Sequence, residues 1–373
     1  MSKQKMEQNR EHATGCVVDR SGHNTPLVQQ RPSGALWFWA VFGIIIITLS
    51  TSSWIRWMVS GDFVRPDPGP DPYAFMVVLR VTEFVSSAVF IFLLWYTLVR
   101  PWYRERTISL DGKLFLGGFF ASCLDVYFAA FNPTWAFNAY TTSFGMWSNF
   151  IPGYPSPATN ELAWSLTWCL PAYIWLGVGA AIVGCAILRR LRKSFPGMST
   201  VAMYCTVQLI FMVAFTILAS IWNRTEVYTY LSAPKGLTLW YGKTYQLPLY
   251  EPLCIAAYCL AYTWLRDTLD SNGLCAADRD LAIRSWRTWK KNLVSTVAVC
   301  GFTAVATMAA YQIPYGWFSM TGDSHPKLPS YLQPGLYCGQ EGKPLCAGQY
   351  LKKMRMEYKS FDSLNETEQP VNP

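Results

Sequence analysis

The sequence predicts an all-α fold, a polytopic membrane helix bundle of about seven transmembrane helices, and three observations carry that prediction. Of 373 residues, 51% are hydrophobic and only 14% charged, against roughly 25% charged in an average soluble domain. Seven apolar windows, at 35–55, 74–99, 114–131, 162–188, 201–222, 253–265 and 293–313, approach or exceed the ~20 residues that cross a bilayer. Basic residues are distributed unevenly around them. Nineteen Lys and Arg lie before the first window or after the second, fourth and sixth, whereas the opposite loops hold two, none and three, with six more along the last sixty residues. The positive-inside rule then puts the N-terminus in the cytosol and the C-terminus outside or in a lumen. The net charge of +8 belongs to these juxtamembrane clusters, so a nucleic-acid partner is not expected. The expected partners are the lipid bilayer and a lipophilic small molecule.

In chain order, residues 1–34 are polar and unpatterned, which reads as a disordered cytosolic tail. The first apolar run follows that tail and is too long for a signal-peptide core. Residues 35–313 form the transmembrane domain, and 314–373 an outer or luminal tail. "RPDPGPDP" (65–72) is a stiff, extended connector after the first span. Span two carries Arg80 and Glu83, spaced i and i+3, and span three carries Asp125. Span four starts at Glu161, and span five ends at Asn223, Arg224 and Glu226. Between spans five and six, "EVYTYLSAPKGLTLWYGKTYQLPLY" alternates β-branched and aromatic residues around Pro234-Lys235-Gly236, predicting an outer β-hairpin. Span six is the shortest and opens with Glu251-Pro252. "DSNGL" followed by "AADRDLAIRSWRTWKKN" predicts an N-capped amphipathic helix on the cytosolic surface, with Trp286 and Trp289 toward lipid. Cys338 and Cys346 flank a polar outer turn and are expected to form a disulfide. Asn223 and Asn365 head glycosylation sequons on that same face. The cysteines within the spans read as packing residues.

Ionisable groups inside spans are costly, so they are functional or paired. The predicted topology places every such acid in the outer halves of the spans. Asp125, Glu251, Glu83 and Glu161 are therefore the candidate catalytic residues. Arg80, Asn132, Trp147, Trp168, Tyr258 and Glu226 are candidate substrate-binding residues; Tyr258 shares a helical stripe with Glu251, Cys254 and Tyr262. Simpler readings stand beside these: Arg80–Glu83 as a structural ion pair, Glu161 and Glu226 as solvated helix ends, and Trp135, Trp147, Trp164 and Trp168 as interface anchors. The three histidines all lie outside the spans, and there is no HExxH, CxxC pair, GxxxxGK[ST] or GxGxxG before a helix. No metal and no cofactor is expected. What remains is acid–base chemistry by carboxyls in apolar surroundings, where burial lets a carboxyl hold a proton at neutral pH.

The loop after span three, "LDVYFAAFNPTWAFNAYTTSFGMWSNFIPGYPSP" (124–157), resembles the segment that marks the AveC-type spirocyclase family. These are bacterial membrane proteins that form spiroketals in macrolide biosynthesis, some also dehydrating the product. Asp125 matches the acid that opens the family segment, and Asn132-Pro133 its Asn-rich turn. Asn138 and Tyr140 occupy its middle. Gly145, Trp147 and Ile151-Pro152-Gly153 match its Gly-x-Trp…Pro-Gly run, although Thr142 or Ser143 replaces the asparagine before it. "YEPL" at 250–253 resembles a second family element. The resemblance implies a cofactor-independent cyclase of a polyketide-type natural product. Asp125 and Glu251 would be proton donor and acceptor, and Asn132, Asn138, Tyr140 and Trp147 would shape the pocket. A membrane terpene cyclase, protonating an epoxide or alkene, is the alternative enzyme. A lipid-binding or transport protein is the non-catalytic alternative, although the paired repeats common in transporters are missing.

Overall fold

The computed structural model describes residues 34–131, 134–152, 162–324 and 326–332. The expected cytosolic tail, Asn132, Glu161, Cys338, Cys346 and Asn365 lie outside the described residues. Among the described residues there are seven long helices: α1 (Ala35–Ser60), α2 (Met76–Glu105), α3 (Leu110–Phe131), α4 (Cys169–Ser194), α5 (Thr200–Arg224), α6 (Tyr250–Asp267) and α7 (Thr288–Met320). Five of them, α1, α2, α4, α5 and α7, are long and apolar enough to cross a membrane. Much of their outward surface is apolar: Val77, Phe84 and Phe92 of α2 and Val201, Val213 and Ile217 of α5 are all exposed. An apolar exterior of that extent marks a lipid or partner surface.

The two remaining helices are the inner ones. No described side chain of α3 is exposed, and on α6 only Leu253 and Trp264 are. A helix enclosed by others needs no lipid-facing stripe, so α3 and α6 can carry the acids Asp125 and Glu251. Close crossings assemble the bundle. A Cβ on Gly301 of α7 would stand 1.8 Å from the Trp39 carbonyl oxygen of α1, and one on Gly43 1.9 Å from that of Val297. Small residues permit this backbone-to-backbone approach, as in other helix pairs packed without water. On α3, a Cβ at Gly118 would meet the Tyr173 carbonyl oxygen at 2.9 Å, which brings the start of α4 against α3.

Two wide π turns each precede a proline. Leu94–Val99 comes before Pro101 in α2, and Met308–Gln312 before Pro314 in α7. Proline offers no N–H to the preceding turn and its ring crowds the carbonyl there, so the helix widens around it. In α7 the widened turn carries Tyr311 and Gln312.

The loops at the end where α3 finishes and α6 begins are tied by short strands. β1 (Trp135–Phe137) pairs antiparallel with β2 (Tyr228–Tyr230), with Trp135 opposite Tyr230. β3 (Thr238–Leu239) pairs with β4 (Leu247–Pro248). The segment between α5 and α6 is thus divided. Its first strand joins the loop after α3, and a two-residue ladder alone closes locally.

The opposite, Arg-rich end departs from expectation. Residues 275–287 form turns and one 3-10 turn rather than an amphipathic helix, and α7 starts only at Thr288. Asp278 explains the difference. It is buried, its Oδ1 accepts the Cys275 N–H at 2.7 Å, its Oδ2 takes the Ser295 hydroxyl, and Lys113 lies 3.7 Å away. An acid held inside in this way draws the segment off the surface. Trp286 packs on Trp37 while Trp289 is exposed. Acids are also not confined to one end, because α3 and α6 reach further than the apolar windows. Arg266 binds Asp111 through two bonds of 2.7 and 3.1 Å, and Arg192 binds Asp267. Asn223 is fully buried and donates to the Ala219 carbonyl, so it is no exposed sequon. The eight described cysteines are all free. Helix α7 runs past 313 to Met320, and the chain beyond it is seated on the loops: Ser330 Oγ donates to the Pro68 carbonyl, and the Tyr331 carbonyl accepts from Ala139 N–H.

Candidate active site

Asp125 lies in the last two turns of α3 and is 1% exposed. Its carboxylate is surrounded by donors. Oδ2 accepts from Trp164 Nε1 at 2.8 Å and from the Cys169 thiol at 3.3 Å. Oδ1 accepts from the Tyr173 hydroxyl at 2.9 Å and from Gln312 Nε2 at 3.4 Å. Gln312 also donates to the Tyr173 oxygen at 2.6 Å. The local chain builds this cage. Gly145 has φ +80°, a conformation that favours glycine, and its N–H meets Ser143 Oγ at 3.2 Å. The same hydroxyl takes the Trp164 N–H at 3.0 Å, placing that residue over Asp125. Trp147 stands edge-on behind Trp164, with ring centroids 4.8 Å apart.

Glu251 is in the first turn of α6 and is 3% exposed. Its surroundings are different in kind: its Oε2 has no hydrogen-bond partner among the described residues. The Tyr230 hydroxyl is its polar neighbour, and that hydroxyl lies 2.9 Å from the Tyr228 hydroxyl. Tyr228, Tyr250, Tyr311 and Tyr315 are its aromatic neighbours. Tyr315 contacts Trp135, Tyr230, Tyr250 and Tyr311, with centroids 5.1 to 6.2 Å apart. Phe137 joins this set to Trp168 at 5.3 Å. Tyr311, on the widened turn of α7, is within electrostatic range of both Glu251 and Asp125.

The other sequence candidates take varied places. Glu83 is buried and saturated: Oε1 accepts from Thr142 N–H (2.6 Å), Thr167 (2.8 Å) and Thr141 (3.0 Å), while Arg80 binds Oε2 at 2.5 Å. Arg80 also donates to the Tyr140 carbonyl at 3.0 Å. These two brace α2 to the loop after α3. Asn138 is a second strut, its amide donating to the Glu226 carbonyl and its oxygen taking the Tyr140 N–H. Tyr140 stacks on Tyr73, and the Glu226 carboxylate accepts from the Tyr331 hydroxyl. Trp147 supports Trp164 rather than lining the Glu251 cluster. Trp168 does belong to that cluster. Tyr258 donates to the Tyr173 carbonyl at 2.7 Å, two turns below Glu251. No group of three or more metal-binding side chains occurs among the described residues.

A family model described as spirocyclase AveC-like matches residues 105–334. The chain belongs to the AveC-like spirocyclase family. Comparisons with curated proteins and with solved structures returned no match. Membership suggests a cyclase acting on a polyketide-related compound. In this AveC-like chain the matched region spans α3 to α7 and both strand pairs, so it contains Asp125, Glu251 and the whole aromatic cluster. It leaves out α1 and nearly all of α2, including the Arg80–Glu83 brace. Sequence reasoning missed Tyr173, Gln312, Tyr230 and Tyr315. A polar amide inside the last apolar window was a signal for Gln312. The tyrosines carried none, because their placement depends on the β1–β2 pairing.

Proposed function

We propose that this protein is a membrane-embedded cyclase that closes rings within a lipophilic polyketide-type substrate, with Glu251 as the proton-exchanging group. The observation that carries this reading is the unpartnered Glu251 Oε2, buried among tyrosine and tryptophan rings. A buried carboxyl oxygen left without a partner costs a folded chain free energy and calls for a reason; a reacting hydroxyl of the substrate supplies one. In the proposed reaction, Glu251 protonates the hydroxyl oxygen of a hemiketal, water leaves, and the ketal carbon becomes an oxocarbenium ion. A second hydroxyl of the same substrate then attacks that carbon and returns its proton to Glu251. The balance is one C–O bond broken, one formed and one water released. Loss of a proton from the neighbouring carbon would instead give a dehydrated product. The ring faces would stabilise the cation, as aromatic faces stabilise positive charge. Asp125, which already holds four donors, would fix Trp164, Tyr173 and Gln312 rather than move a proton. The uneven Lys and Arg distribution supports an orientation with the Glu251 end toward the non-cytosolic side.

The test uses membranes containing the protein, supplied with a lipophilic dihydroxyketone whose spontaneous cyclisation gives a mixture of spiroketal stereoisomers. Chiral chromatography is expected to show faster formation of one isomer, and Glu251→Gln membranes only the spontaneous mixture. Equal rates and equal mixtures from both would sink the reading.

A further inference from the structure

Three cations at the Arg-rich end are neutralised within the fold: Arg192 by Asp267, Arg266 by Asp111 and Lys113 by Asp278. The run 281–293, "LAIRSWRTWKKNL", is different. It carries four cations and no acid. Among the described residues, no carboxylate lies within ion-pair reach of Arg284, Arg287, Lys290 or Lys291. Arg284 is the fixed point of this set. Its guanidinium lies over the rings of Trp37 in α1 and Trp286, 5.5 and 5.2 Å from their centroids. Its Nε is shut off from water with no partner among the described residues. Ring faces hold a cation in place but accept none of its N–H bonds in the guanidinium plane. Trp286 also packs on a small apolar cluster, Leu36, Ala40, Leu281 and Ala298, which joins the start of α1 to the α6–α7 connector and to α7 apart from the main core.

Along the same two helices the surface turns apolar at once. Trp37, Phe38 and Val41 of α1 and Trp289 and Leu293 of α7 are all exposed. Unpaired cations beside an apolar shelf match one kind of ligand, an amphiphile with a negative head. We propose that this surface binds an anionic phospholipid, its phosphodiester on Arg284 and the flanking cations and its acyl chains along the exposed face of α1 and α7. Clustered Lys and Arg next to a membrane helix draw anionic lipid in this way. A polyanion without chains would leave the apolar shelf bare. The bound lipid ties the start of α1 to that of α7, adding to the Gly43–Gly301 crossing. The site is at the opposite end from Glu251, so it stands or falls apart from the proposed reaction.

The experiment follows the melting temperature of the purified full-length protein in detergent as lipid is added. The probes are dioleoyl phosphatidylglycerol and dioleoyl phosphatidylcholine, which share their chains. Phosphatidylglycerol is expected to reach its half-maximal effect at a concentration lower by about tenfold or more. That preference should shrink as NaCl rises from roughly 0.05 to roughly 0.5 M, because salt screens charge at a surface. Replacing Arg284, Arg287, Lys290 and Lys291 together by Gln is expected to abolish the preference, and Lys290→Gln with Lys291→Gln to reduce it several-fold, which keeps the test open if the fourfold variant does not fold. Arg100, Arg104, Arg190 and Lys193 are exposed cations of α2 and α4; the same number of charges removed there should leave the preference intact. Equal responses to the two lipids overturn the proposal. A preference lost equally in the α2–α4 variant overturns the placement, since any basic rim would then serve. Glycerophosphoglycerol, the headgroup without chains, or a short RNA raising the melting temperature as far as phosphatidylglycerol does would make the ligand a soluble anion and overturn the assignment to lipid.

Discussion

Asp125 and Glu251 are both buried carboxyls at the same end of the bundle, yet their surroundings are opposite. Four donors converge on Asp125, two on each oxygen. Glu251 keeps an oxygen with no partner, inside a cluster rich in other unpartnered groups. A carboxylate whose lone pairs are filled by protein donors has little accepting capacity left. One left open among buried rings has capacity for a substrate. The sequence offers both acids as proton-transfer candidates, Asp125 foremost, and their hydrogen bonding differs. Glu83 extends the contrast: it too is saturated, and it lies outside the part of the chain that matches the family model.

The contrast breaks most sharply at Glu251. Glu251→Gln is nearly isosteric and gives up no partner on Oε2, so melting temperature is expected to stay within the range of a surface substitution. Turnover is expected to fall by roughly a thousandfold, a typical loss for a general acid–base group, or about 4 kcal/mol of barrier. Retained turnover, measured beside the melting curve, would move the chemistry elsewhere.

Asp125→Asn should behave in the reverse manner. Whichever way the amide turns, its NH2 faces donors, either Trp164 and Cys169 or Tyr173 and Gln312. Buried donor–donor contacts and lost charge-assisted bonds cost about 3 kcal/mol, visible as a lower melting temperature and poorer recovery from membranes. A variant that melts like wild type but has lost all turnover would place the proton chemistry at Asp125 and erase the distinction. Glu83→Gln sharpens it one step lower. It turns one of Glu83's accepting oxygens into a donor, and about 2 kcal/mol of stability is expected to go. Rates measured on the folded fraction should stay near wild type.

The helical bundle was legible in the sequence because lipid and enclosure both demand long apolar runs, and composition records them. The Arg-rich end was legible only in part. Asp111 and Asp267 lie just beyond the apolar windows and Asp278 in the middle of the connector before the last one, and only tertiary pairing with Arg266, Arg192 and Lys113 brings them into the folded interior. The candidate site shows the same division. Asp125 and Glu251 stand out as charges in apolar helices. Tyr228 and Tyr230 look like hairpin residues locally, and only pairing with 135–137, some ninety residues earlier, turns them toward Glu251. Trp147 and Asn138 stand out in the sequence, but their contacts with Trp164 and with the Glu226 carbonyl are ones that spacing does not encode.

Tyr258 supplies the smallest and finest division between support and site. It shares a helix with Glu251 and is 1% exposed, but its hydroxyl is spent on the Tyr173 carbonyl at 2.7 Å. Behind it, Gly177 leaves room that a Cβ would fill to within 3.1 Å of that hydroxyl. Tyr258→Phe removes one buried hydrogen bond and leaves the ring packing intact, so about 1 kcal/mol of stability is expected to be lost. As a strut for the residue that binds Asp125, it should change turnover by no more than about threefold, the rate equivalent of a fraction of a kcal/mol. Thermal denaturation and initial rates on one preparation would separate the two effects. If turnover drops tenfold or more at unchanged melting temperature, the substrate reaches two turns down α6 from Glu251. The boundary between committed and open carboxyls would then have to be drawn through Tyr258 rather than above it.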